Sequence, residues 1–80
     1  ANKRKENQIM TDSDKLIFMG NQIRNRMKEC GLTELDLSKR TGIHYQLIGK
    51  YIRGVVNPGF LNLDRLLREL DMSMGDLQMK

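Results

Sequence analysis

The sequence predicts an all-α fold, a small five-helix domain, and three observations carry that reading. Apolar residues recur three and four positions apart in successive stretches, the period of an amphipathic helix. Alternation of apolar and polar residues, the mark of a half-buried strand, is nearly absent, and the short run 52–56 is broken by Arg53 and Gly54. Eighty residues with 39% apolar content, two Phe, two Tyr and no Trp leave room for one core packed mainly from aliphatic side chains.

In chain order, residues 1–10 hold Lys3, Arg4 and Lys5 with little to bury. They read as a flexible basic arm, either a solvated tail or a segment that tracks DNA phosphates. The folded domain is expected over 11–80. Thr11 and Asp14 have the spacing of a capping box, which starts the first helix. Leu16, Met19, Ile23 and Met27 form its expected buried stripe, and Gly20 offers a neighbouring face on which another helix can approach. Arg24, Arg26 and Lys28 read as its wet side, Cys30 as a small hydrophobe at the core edge, and Gly31 as its stop.

Thr33 is placed to cap a second helix over 34–40, with Leu37 inward and Ser38 small enough for a close crossing. A turn follows at Thr41, Gly42 and Ile43, where glycine supplies the positive φ that ends a helix. Winding 45–53 at 100° per residue separates Tyr45, Gln46, Gly49, Lys50 and Arg53 from Leu47, Ile48, Tyr51 and Ile52. Two helices and a short turn over 34–53 make a helix-turn-helix, whose second helix can enter the DNA major groove. Residues 54–57 then read as a loop, Pro58 as punctuation, and 60–70 as a fourth helix with Phe60, Leu63, Leu66, Leu67 and Leu70 on its apolar face. Ser73 and Asp76 repeat the capping-box spacing and start a short fifth helix. Met72, Met74, Leu77 and Met79 there either close the core or form a homodimer surface.

A net charge of +4 and a pI near 9.5 favour a polyanionic partner. One cysteine excludes an internal disulfide and a cysteine cluster for zinc, pointing to a reducing cytoplasm. The longest apolar run, 16–19, is far too short for a membrane span or signal-peptide core. One His, one Cys and scattered carboxylates show neither metal-ligand spacing nor a nucleophile with its base, so no catalytic residue, metal or cofactor is expected and the chain does not read as an enzyme.

From Gly20 to Leu77 the chain resembles the lambda-repressor-like helix-turn-helix family, also called Cro/repressor or XRE-type. The pattern lies in Leu32-Thr33, Leu37, Gly42-Ile43, Ile48, Lys50-Tyr51, Arg53-Gly54, Asn57-Pro58, Leu66, Leu70 and Ser73. The resemblance implies a compact five-helix domain that binds double-stranded operator DNA, usually as a dimer, and regulates transcription. It assigns base reading to Tyr45, Gln46 and Lys50, with Gly49 between them, and phosphate contact to Thr33, residue 34, His44 and the loop before Pro58. That loop lacks the common Lys or Arg, which turns the phosphate role toward Asn57 and Arg53. Glu34 replaces a common Gln at the start of the second helix and would repel a phosphate. Met27 and Ile52 fall where many members carry a buried Arg–Glu pair, an exchange expected to preserve the fold if the two side chains meet.

Two function classes follow. The first is a sequence-specific DNA-binding transcriptional regulator, repressor-like, reading one half-site per subunit. The second is a protein-interaction module of the same fold, such as an antitoxin-type partner-binding domain, for which Glu34, the uncharged loop and Leu35 argue. The polar series Tyr45, Gln46, Lys50 and Arg53 favours the first.

Overall fold

Thr11 opens the first helix by a reciprocal pair of bonds: the Asp14 amide donates to Thr11 Oγ1 at 3.0 Å, and the Thr11 amide donates to Asp14 Oδ2 at 3.2 Å. These satisfy amides that a helix start otherwise leaves unpaired. In the computed structural model, which describes residues 11–77, helix α1 then runs Asp12–Cys30 and stops at Gly31, whose φ of 70° is left-handed. Helices α2 (Glu34–Thr41), α3 (Tyr45–Arg53) and α4 (Phe60–Glu69) follow. The basic arm, Met79 and Lys80 lie outside the described residues.

The expected fifth helix is instead a single 3-10 turn, Met74–Leu77. The Ser73 amide does donate to Asp76 Oδ2 at 2.8 Å, as the capping spacing foretells. Four residues with Gly75 among them, however, give too few hydrogen bonds to offset helix nucleation. The described residues therefore form four α-helices and one 3-10 turn, without strands.

Helix α1 packs on α3, α3 on α2, and α2 on α4, while the 3-10 turn closes against α1. One buried cluster results, from Ile23 and Met27 of α1, Leu37 of α2, Ile43 of the turn, Ile48, Tyr51 and Ile52 of α3, and Leu66 and Leu70 of α4. Burial of such aliphatic side chains supplies roughly 1.5–3 kcal/mol each. Met27 and Ile52 both belong to this cluster, so no charge is stranded at either position. Met72 and Leu77 pack against it half-buried, whereas Met74 is exposed.

Four surface expectations change. Leu16 is half-buried and outside the cluster, because the fully buried side chains of α1 begin only at Ile23. Phe60, the first residue of α4, stays 68% exposed, nearly two turns ahead of the buried Leu66 and Leu67. Cys30 is exposed at the end of α1. Arg26 is not simply solvated: its Nε donates to the Leu70 carbonyl at 2.7 Å, and its Nη1 lies 3.1 Å from Glu29. That neighbouring carboxylate raises the Arg26 pKa above its ordinary value. No helix among the described residues is long and apolar enough to cross a membrane.

Candidate nucleic-acid interface

The helix-turn-helix is held by local bonds its sequence dictates. Thr33 Oγ1 accepts from the Asp36 amide at 3.1 Å, and Asp36 Oδ2 accepts from the Thr33 amide at 2.9 Å. The backbone donor and the hydroxyl of Thr33 hold the Asp36 carboxyl below its ordinary pKa. At the other end of α2, Thr41 Oγ1 donates to the Leu37 carbonyl and accepts from the Ile43 amide, while Gly42 turns the chain with a φ of 80°. Ile43 is thereby driven into the core.

His44 caps the next helix. Its Nδ1 accepts from the Gln46 amide at 3.1 Å, and its ring stacks on Tyr45 with centroids 4.9 Å apart. A cap bond of this kind makes His44 part of the frame that sets the angle of α3. The apolar arc of α3 then enters the core through Ile48, Tyr51 and Ile52, and the Tyr51 hydroxyl accepts from Asn62 Nδ2 at 3.0 Å.

The far end of α3 is fixed by glycine. A Cβ on Gly20 would collide with the Ile52 carbonyl oxygen and lie 2.7 Å from that of Tyr51. A Cβ on Gly54 would lie 2.7 Å from Ile17 Cα, and Gly54 has a φ of 72° as well. The main chains of α1 and of the end of α3 thus meet without side chains between them.

On the opposite arc, Tyr45, Gln46, Lys50 and Arg53 are exposed, as the helical spacing predicts. Together with Glu34 and Gly49 they line one concavity between the start of α2 and the outer face of α3. Gly49 corrects the sequence expectation of an open close-approach point, for it is buried. A Cβ there would sit 2.9 Å from Glu34 Oε1 and 3.1 Å from Arg53 Nη1, so the two charged heads cover it. Helical periodicity assigns Gly49 to the outer arc correctly but does not register a side chain arriving from another helix. Sequence reasoning weighed Glu34 only as a phosphate position spoiled by its charge and missed its place over Gly49, where a long acidic side chain faces a residue without one. Of the expected phosphate contacts, Arg53 lines this concavity, while Thr33, His44 and Asn57 are exposed but not among its lining residues.

An exposed polar and cationic helix, locked at both ends by a turn and by glycine contacts, defines the DNA-binding helix-turn-helix class. Residues 23–77 match the helix-turn-helix family model, and the chain belongs to that family, of XRE type. Among solved structures it is similar to the restriction-modification controller protein C.AhdI from Aeromonas hydrophila, with a TM-score of 0.74 and 25% identity over 79% of this chain and 96% of that one. No curated protein gives a sequence match.

Proposed function

We propose that the protein is a repressor-like, sequence-specific transcriptional regulator that lays α3 in the major groove of double-stranded operator DNA. The observation that carries this is the division of α3: one side is spent in the core, and the other presents Tyr45, Gln46, Lys50 and Arg53 to solvent. The family and the likeness to a controller protein support a DNA-binding regulator in general. In this reading Gln46 and Lys50 meet base edges, Tyr45 packs on a thymine methyl or reaches a phosphate, and Gly49, between them, leaves the room that the Glu34 and Arg53 heads fill. Thr33, His44 and Asn57 meet the phosphate backbone, and Arg53 is the further cation of the face. The protein acts without a cofactor, as a homodimer joined through the C-terminal segment, with one half-site per subunit.

Selection from a random DNA pool at several salt concentrations tests this. The expected outcome is one enriched palindromic motif, with half-sites about one helical turn apart. Affinity should fall steeply as salt rises, because bound phosphates release counterions. A second reading, a protein-interaction module, is favoured by Leu35 at 51% exposure beside the Glu34 carboxylate and by Val55 at 62% in the loop. Absence of any enriched motif at low salt would select it.

A further inference from the structure

A carboxylate on a DNA-facing concavity is costly unless something offsets its repulsion from phosphates. Glu34 is such a carboxylate, half-buried at the start of α2 with Oε1 against Gly49. Arg53 Nη1 reaches the same spot from the other direction. It does so because helical side chains lean toward the N-terminus, and residues 49 and 53 are stacked neighbours one turn apart. Two opposite charges therefore converge over the only position on the outer side of α3 that lacks a side chain. Among the described residues the ion pairs are Arg26 with Glu29, Arg40 with Glu69 and Arg68 with Asp64. Glu34 and Arg53 are close but not directly paired, and Arg53 lines the concavity together with Gln46 and Lys50.

We propose that Glu34 is a positioning residue for Arg53, and that Arg53 reads a guanine base edge rather than gripping a phosphate. The inference rests on the DNA-binding reading and names a specificity determinant within it. When DNA covers the concavity, water leaves, the effective dielectric falls and the attraction between the two heads grows. Glu34 then holds one edge of the guanidinium and leaves the other edge for guanine O6 and N7, which the planar fork matches. A lysine at 53 keeps the charge without the fork. A glutamine at 34 keeps the shape without the charge that orients the fork.

The test is pool selection and titration with wild type, Arg53→Lys and Glu34→Gln, each checked for folding by circular dichroism melting. The wild-type motif should contain a G whose replacement costs about tenfold in affinity. Both variants should relax preference at that one position and leave the others intact. Glu34→Gln should also bind unrelated DNA more tightly, since it removes a negative charge from the face. If Glu34→Gln strengthens every sequence alike with all preferences kept, Glu34 merely repels phosphate and the proposal is overturned. If Arg53→Lys leaves every base preference intact, Arg53 is not a guanine reader and the proposal is likewise overturned. A wild type that enriches no motif overturns the DNA-reading function and this inference with it, whereas a motif indifferent to both variants overturns this inference alone.

Discussion

Gln46 and Lys50 lie one turn apart on the exposed side of α3, and their chemistry differs in a way that DNA can register. The Gln amide offers a donor and an acceptor together and suits adenine N6 and N7, while the Lys ammonium only donates and suits guanine O6 and N7. Neither side chain is needed to hold the helix, since the Gln46 amide is fixed by His44 and the Lys50 carbonyl accepts from Val55 at 3.1 Å. Gln46→Ala and Lys50→Ala are each expected to cost roughly 1–3 kcal/mol of binding and to flatten preference at one base pair. Titration against operators varied base by base reads the effect. Unchanged preference in both variants would remove these residues from the reading role. The exposure of these two residues was legible from spacing alone. The burial of Gly49 was not, because it depends on how far Glu34 extends from a different helix.

At the scale of elements, capping residues announced the starts of α1 and α2, whereas α3 was placed by its periodicity after the Gly42 turn and α4 by its apolar face after Pro58. Thr11, Thr33 and His44 each make the side-chain bond that begins a helix, whereas Gly59 offers no side chain to do so. Helix stops at Gly31, Gly42 and Gly54 were equally legible, as all three adopt positive φ. The fifth helix failed because a cap signal does not state how many turns can follow it. Arg26 escaped for a related reason: its partner is a main-chain carbonyl 44 residues away, which no local pattern encodes. Gly20 was readable as a point of approach, though not as a contact between main chains. Gly20→Ala is expected to destabilise the fold by about 1–3 kcal/mol or more, because the methyl meets backbone that cannot swing aside. This should outweigh the gain of about 1 kcal/mol that alanine normally brings to a helix interior. Thermal melting measures it, and a variant as stable as the parent would show that α1 and α3 can separate at little cost.

For the whole molecule, the open matter is how two copies would share an operator. Leu77 is half-buried against the core, Met74 is exposed, and both belong to the turn that closes on α1. If the last segment also joins subunits, Leu77→Asp should weaken binding to a full palindromic site more than to an isolated half-site. Equal loss on both would assign Leu77 to the core alone. Sedimentation of the same samples would show whether the variant has become monomeric.

The main-chain contact between α1 and the end of α3 bears on how such a protein changes its target. Because Gly20 and Gly54 seat the helix through atoms common to all amino acids, the seat is indifferent to what the outward residues are. Tyr45, Gln46, Lys50 and Arg53 can be exchanged without disturbing the orientation of the helix that displays them. In the proposed DNA-reading role, retargeting and stability would therefore be nearly independent. If α3 reads DNA as proposed, one or two outward substitutions would suffice for a new operator, while a substitution at either glycine would disturb all four outward residues at once.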